Sequence, residues 1–432
     1  MTAETRYGKV QGTETAAGYV YKGIPYAQPP VGADRFRPPQ PPQPWDGVRV
    51  CDRFAPMAVQ KEEKPDSFYG KEFFCDPGFK VESSEDCLYL NVWTPKDAHQ
   101  LPVAVWYHGG GFQNGNGGEM EFDGEAFNRR GVILVTVNYR LGLLGYFCHE
   151  KLRDADGVSG NWGLRDQIAA LDWVRENIGQ FGGDPGCITI FGQSAGGMAV
   201  RDLVCCPAVK GKIARAILQS CNGCKGPLRA DFGMNKMEKI SARFLKRKRL
   251  SIEDLQTMDV DAILKLQWEY NFFAGLWTRS GISLTPVIDG KTIPANPELV
   301  CARGETARVP YLVGSLKNDM GVSKAGAADL SKSRMQMSLM RWAGCHTAQG
   351  VPGYAYHFQH ELPGNDGAGA FHSAELWYIF GTLGRSWRPM GQADHALSGR
   401  MTDIWARFMK TGDPGWIPCT GETGYCEILK AE

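Results

Sequence analysis

Long apolar runs are missing from the chain: nowhere in its 432 residues is there anything close to the roughly 18 uninterrupted apolar positions a helix needs to cross a bilayer. The opening MTAETRYGKV also lacks the charged-then-apolar pattern of a secretory leader, so a cytoplasmic location is expected. An excess of one charge is absent too. Forty-eight Lys and Arg stand against 47 Asp and Glu, a net charge of +1, which gives no long-range field favouring nucleic acid or an anionic membrane. The expected partner is therefore a small molecule, with no nucleic acid and no membrane, and a monomer is the expected state. Cysteine is plentiful at 13, but the regular spacing of a disulfide framework is missing. The pair Cys221 and Cys224 has no second C-x-x-C to complete a metal site, so the thiols read as free, and neither a metal nor an organic cofactor is called for. No internal repeat or low-complexity segment is present, which excludes solenoids and fibrous architectures.

What is present reads as one large α/β domain over 1–432, with excursions at about 50–86, a surface loop, and about 225–345, a helical cap region. The runs LPVAVWYH, GVILVTVNY and CITIFG have the continuous apolarity of buried parallel strands, and ARAILQS, VPYLVGS and GYAYHF extend the series. Between the second and third runs, Leu164, Ile168, Leu171, Val174 and Ile178 recur at helical spacing, and Gly182 and Gly183 supply a stop. Strand, helix and strand in this order predict a mostly parallel twisted sheet with helices on both faces. The first hundred residues are rich in Pro and Gly and read as edge strands and loop. Residues 231–270 carry the densest charge, including FLKRKRLSIEDLQ, and read as solvated helices packed over the sheet.

The chemistry gathers around FGQSAGG. Its G-x-S-x-G follows a strand-like run and precedes a helix-compatible one, the setting of a nucleophile elbow with Ser194 at its apex. A serine needs a base to take its proton and donors for the tetrahedral oxyanion. HGGGF, directly after LPVAVWY, offers the N–H groups of Gly110 and Gly111, to be joined by that of Ala195. The order Ser, acid, His places the base late in the chain, where His372 lies on a glycine-rich loop after GYAYHF. His357 and His360 belong to that strand and its end and read as structural; His395 falls in a predicted helix. The first carboxylate after VPYLVGS is Asp319, with Asp329 and Glu305 as substitutes.

Taken together, GIPYAQPPVGADRFRPP, SSEDCLYLNVWTP, HGGGF, VNYRLGLLGYF, GNWGLRDQIAAL, FGGDP, FGQSAGG and GAFHSAELWYIFG make the chain resemble the type B carboxylesterases of the cholinesterase-like α/β-hydrolases from near its start to near its end. The resemblance implies an α/β-hydrolase fold with a helical lid and a serine hydrolase acting on ester bonds through a catalytic triad of Ser194, His372 and Asp319. It also implies an oxyanion hole of Gly110, Gly111 and Ala195, and a structural pair of Arg35 with Glu85. Amide or thioester hydrolysis on the same groups, and a binding member of the family without activity, are the other readings. The chain departs from the family's pattern at five points. Gln193 stands where many relatives carry Glu, and Asp319 where they usually carry Glu. Cys87 lacks its usual disulfide partner at 58–60, and DPGFKVESSEDC lacks the Trp that stacks on choline. Asp319 and His372 are also closer in sequence than is usual for the family, which predicts a shortened lid over a wider pocket, while Gln193 in place of Glu predicts a neutral ester, of small to medium size, as substrate.

Overall fold

The computed structural model describes residues 1–432. Its centre is a ten-stranded sheet built from β1 (Thr13–Thr15), β2 (Gly18–Pro25), β3 (Tyr89–Thr94), β4 (Leu101–Tyr107), β5 (Ile133–Val137), β6 (Gly183–Gln193), β7 (Arg215–Gln219), β8 (Tyr311–Leu316), β9 (Gly353–Phe358) and β10 (Glu427–Leu429). The strand order is β10-β9-β8-β7-β6-β4-β5-β3-β2-β1. Pairings from β10 to β5 are all parallel, and those among β5, β3, β2 and β1 are antiparallel.

The apolar runs are continuous because both faces of the sheet are covered. Successive side chains point to opposite sides, so Val103, Val105, Val135 and Ile190 enter one core while Ala104, Trp106, Leu134 and Phe191 enter the other. Each such large side chain contributes about 1.5–3 kcal/mol when fully buried. One covering helix is α1 (Trp162–Asn177), whose Leu164, Leu171 and Val174 are buried. A short 3₁₀ turn follows it and ends at Gly182 in the left-handed conformation, φ 84°. Gly183 already belongs to β6, so the stop rests on one glycine.

Three further helices matter below: α2 (Ala195–Cys205), α3 (Met234–Lys248) and α4 (Val260–Thr278). The expected cap at about 225–345 is not continuous. It contains the sheet strand β8, and α5 (Arg334–Ala348) packs on β8 and β9 as part of the sheet's own covering layer. The N-terminal hundred residues likewise supply more than edges, since β3 lies inside the sheet between β5 and β2. No helix is long and apolar enough to cross a membrane.

Candidate active site

The parallel strands deliver their loops to one edge of the sheet, and HGGGF, Ser194, Asp319 and the loop carrying His372 follow the C-terminal ends of β4, β6, β8 and β9. Ser194 joins β6 to α2 with φ 57° and ψ −121°, a conformation that L residues rarely hold. Its N–H donates to the Gln219 carbonyl at 2.9 Å, and its own carbonyl accepts from Met198 N–H at 2.9 Å. The flanking glycines make the turn possible. A Cβ on Gly196 would stand 1.9 Å from the Tyr107 carbonyl oxygen, and one on Gly192 would stand 2.5 Å from Gly196 backbone. The G-x-S-x-G spacing is therefore imposed by the C-terminal end of the neighbouring parallel strand β4, whose Tyr107 carbonyl lies against the turn.

HGGGF wraps around the same point. His108 is buried, stacked on Tyr139 with ring centroids 4.4 Å apart, and burial pulls its pKa down to about 4, so it is a neutral wall. Gly110 turns with φ 92° and its carbonyl accepts from Gln113 and Asn114 N–H at 3.0 and 2.9 Å. The N–H groups of Gly110, Gly111 and Ala195 donate to no loop carbonyl or side chain of the protein, and that of Ala195 lies at the start of α2, where no intrahelical acceptor exists. Gly110 and Gly111 line the same cavity as Ser194. Three free donors, two on the HGGGF loop and one at a helix N-terminus, suit a developing oxyanion.

The structure brings Asp319 and His372 together. His372 Nδ1 and Asp319 Oδ1 are 2.5 Å apart, and both side chains are buried. Asp319 is held from below as well: Oδ2 accepts from Leu316 N–H at 3.0 Å and Oδ1 from Met320 N–H at 2.7 Å. Burial opposes its charge, but the neighbouring imidazole and these hydrogen bonds outweigh burial and lower its pKa. For His372 burial works downward, and the Asp319 charge more than offsets it, so the imidazole titrates above its ordinary value. A proton on Nδ1 facing Asp319 leaves Nε2 with its lone pair.

The His372 imidazole has one other side chain within hydrogen-bond distance. Gln193 Nε2 lies 3.3 Å from His372 Nε2 and 3.5 Å from Nδ1. A donor in the ring plane at Nε2 would be far from Nδ1, so near-equal distances put the carboxamide over the ring face and leave the Nε2 lone pair open. Ser194 Oγ and His372 share the cavity wall without being hydrogen-bonded to one another, an arrangement that free enzymes often tighten on binding substrate.

Several groups at the site escaped the sequence reading. Glu375, three residues past His372, is fully buried; burial first, then the Asp319 charge, raise its pKa to about 8. It is thus protonated at neutral pH, and one oxygen meets Gln219 Nε2 at 3.3 Å. Only the HSAE spacing hinted at it. Glu119 and Glu121 line the cavity, and burial raises the pKa of both, that of Glu119 to about 7; no sequence pattern marked them.

The cavity measures about 560 Å³ and is walled by Phe73, Phe74, Phe79 and Phe122, with Ile282 and Met320 also in its lining. The remaining candidates fall elsewhere. His360 pairs with Asp394 at 2.8 Å, His357 faces Gln336 at 3.3 Å, and His395 is exposed on a helix. Asp329 caps a short 3₁₀ turn on the surface, and Glu305 makes no contact with His372. Arg35 and Glu85 form the expected ion pair, with Nε to Oε2 at 2.8 Å. Cys87, Cys221 and Cys224 are buried free thiols.

Comparison with known proteins places this geometry. A profile described as Carboxylesterase family matches residues 1–338 and 323–424. The chain is 33% identical to para-nitrobenzyl esterase of Bacillus subtilis (strain 168), covering 99% of this chain and 94% of that protein. It is also 33% identical to fumonisin B1 esterase of Sphingopyxis macrogoltabida, covering 96% and 82% respectively. A solved PNB esterase structure superimposes with a TM-score of 0.84 at 31% identity, covering 99% of this chain and 95% of that one. The architecture is that of these esterases, the α/β-hydrolase fold.

Proposed function

The chain belongs to the carboxylesterase family, and from that premise we propose that it hydrolyses neutral carboxylic esters of small to medium size through Ser194, His372 and Asp319. His372 Nε2 takes the Ser194 proton as Oγ bonds to the ester carbonyl carbon. The carbonyl π pair moves onto oxygen, where the N–H groups of Gly110, Gly111 and Ala195 receive it. Collapse of this intermediate breaks the carbon to alkoxy-oxygen bond, and His372 gives its proton to the departing alcohol. Water then repeats the sequence on the acyl-enzyme and releases the acid. Asp319 fixes the tautomer and stabilises the imidazolium without taking the proton.

The observation that carries this reading is the 2.5 Å contact of His372 Nδ1 with Asp319 on the wall of the cavity that holds the Ser194 elbow. One feature supports a neutral substrate: Gln193 brings no charge to the imidazole. A cytoplasmic location belongs to the same reading, supported by thirteen free thiols. Ser194→Ala is expected to abolish hydrolysis of p-nitrophenyl acetate while leaving the melting temperature near that of the parent; retention of most activity overturns the assignment. With a short lid over a broad cavity, rates are expected to change little as the acyl or alcohol part grows. A steep fall across a size panel contradicts that expectation.

A further inference from the structure

A helix packed on a protein normally turns its polar side to water, and α4 does the reverse. Its inner face is well seated: Ile263, Leu266, Tyr270 and Ala274 are buried, Gln267 accepts from Leu143 N–H at 2.9 Å, and Tyr270 meets Ser241 at 2.8 Å. Its outer face carries Trp268, Phe272 and Leu276 at intervals of four, 73%, 68% and 68% exposed, with Trp277 beside them at 50%. Trp268 and Phe272 stack on one another with ring centroids 6.5 Å apart. Single exposed apolar residues are ordinary, but three turns of aligned aromatic and aliphatic surface mark an interaction site.

The neighbouring helix supplies the charge. Along α3, Lys236, Lys239, Arg243, Lys246, Arg247 and Lys248 face solvent, while its one acid, Glu238, is buried against Arg153 at 2.6 Å. The two surfaces are continuous, because the Arg243 guanidinium lies 4.8 Å from the Trp277 ring. On α4 itself Lys265 is exposed, Asp261 stands at the first turn, and Glu269 is taken up by Lys248. The near-neutral total for the whole chain thus conceals a local basic face.

We propose that this face docks the protein peripherally on an anionic lipid surface, with Trp268, Phe272, Leu276 and Trp277 entering the headgroup layer and the basic side of α3 meeting the phosphates. Aromatic and aliphatic side chains beside a row of lysine and arginine are what such an interface selects. A second copy of this chain fits less well, since a two-fold contact brings the same basic face from both copies and supplies no counter-charge. The location is also telling. Asn271 on α4 donates to Gln113, just past HGGGF, at 2.6 Å, and Ile282, shortly after the helix, lines the cavity. Docking would therefore hold the site beside the lipid.

Co-sedimentation of the intact protein with vesicles of equal parts phosphatidylglycerol and phosphatidylcholine tests this without turnover, so it stands or falls separately from the ester reading. Binding is expected to the mixed vesicles and to weaken in high salt and on pure phosphatidylcholine. The pair Trp268→Ser and Phe272→Ser should weaken partitioning by about tenfold or more, and Lys246→Glu with Arg247→Glu should remove its salt dependence. Neither pair should change hydrolysis of a soluble ester or the melting temperature. No sedimentation with the mixed vesicles at low salt overturns the proposal. So does binding unchanged in the Trp268 and Phe272 variant, a concentration-dependent dimer lost in that variant without vesicle binding, or capture of a single-stranded oligonucleotide in place of vesicles.

Discussion

Replacing Asp319 by Asn tests the arrangement at its most constrained point. The carboxylate accepts three hydrogen bonds, from His372 Nδ1 and Met320 N–H on Oδ1 and from Leu316 N–H on Oδ2. An amide of the same shape has one accepting end. If its oxygen faces His372, its NH₂ points at the Leu316 N–H; if it faces Leu316, the NH₂ meets the imidazole and Met320. The second orientation rewards the wrong tautomer, with the proton on Nε2, which then cannot accept from Ser194. Either way one donor opposes another in a buried place, at a cost of about 1–3 kcal/mol in stability. The stabilising charge on the imidazolium is lost as well. The corresponding change in a serine protease triad lowers kcat by about 10⁴, or about 5 kcal/mol in activation free energy. A similar loss is expected here, measured as kcat for p-nitrophenyl acetate with melting curves to confirm folding. A folded Asp319→Asn protein losing less than about tenfold would refute the role given to Asp319, since the geometry leaves the imidazole no other carboxylate in hydrogen-bond contact.

The raised imidazole pKa gives a pH dependence of definite sign. His372 must be neutral to act as base, so kcat/KM is expected to rise with pH along a limb centred above the ordinary imidazole value of 6.5; in Gln193→Glu a carboxylate over the ring face should move that limb upward by about one unit and improve relative rates on cationic esters. An unmoved limb in that variant would remove Gln193 from the site's electrostatics. Glu375→Gln copies the protonated carboxyl and should keep most activity at neutral pH. Because the folded protein holds the Glu375 proton up to about pH 8 while the unfolded chain releases it above about 4.5, this group contributes less stability as pH rises through that window. The melting temperature of the variant should therefore gain on the parent between pH 6 and pH 8, and a constant difference would show that Glu375 is ionised throughout.

Much of this was legible in the residues, and for identifiable reasons. Strands β4, β5 and the CITIF run of β6 were plain because both faces of the sheet are dry, which makes nearly every position there apolar. The elbow was plain because Tyr107 backbone lies against Gly192 and Gly196, so the glycines cannot vary freely. Asp319 and His372 followed from chain order once the strands were placed. By contrast β3 was obscured by Asn91, a polar residue in its middle. The fold satisfies it internally, through Thr136 Oγ1 at 2.9 Å and Gly23 N–H at 2.9 Å, partners remote in sequence. Glu375 was hidden for a related reason: its protonated state comes from surroundings contributed by β7, β8 and the final helix, none of which its local sequence reveals. The uncovered face of α4 was equally opaque, since an apolar stripe in sequence looks the same whether or not another element covers it.

The close spacing of Asp319 and His372, 53 positions, need not disable the site, and the connections explain why. The two loops are stitched directly to each other: Asn318 N–H donates to the Ala370 carbonyl at 3.0 Å, and Ala370 N–H donates back to Asn318 Oδ1 at 3.1 Å. One residue onward from the first partner is Asp319, and two onward from the second is His372. Beneath them Gln336 on α5 ties β8 to β9, accepting from Ser315 N–H at 3.0 Å and donating to the Tyr356 carbonyl at 2.9 Å. The residues that remain between acid and base thus include the strand and the helix that fix their positions. The cavity beside them is walled in large part by the segment from Lys61 to Val81, with three of its phenylalanines, at 73, 74 and 79, so substitutions there are expected to change substrate choice.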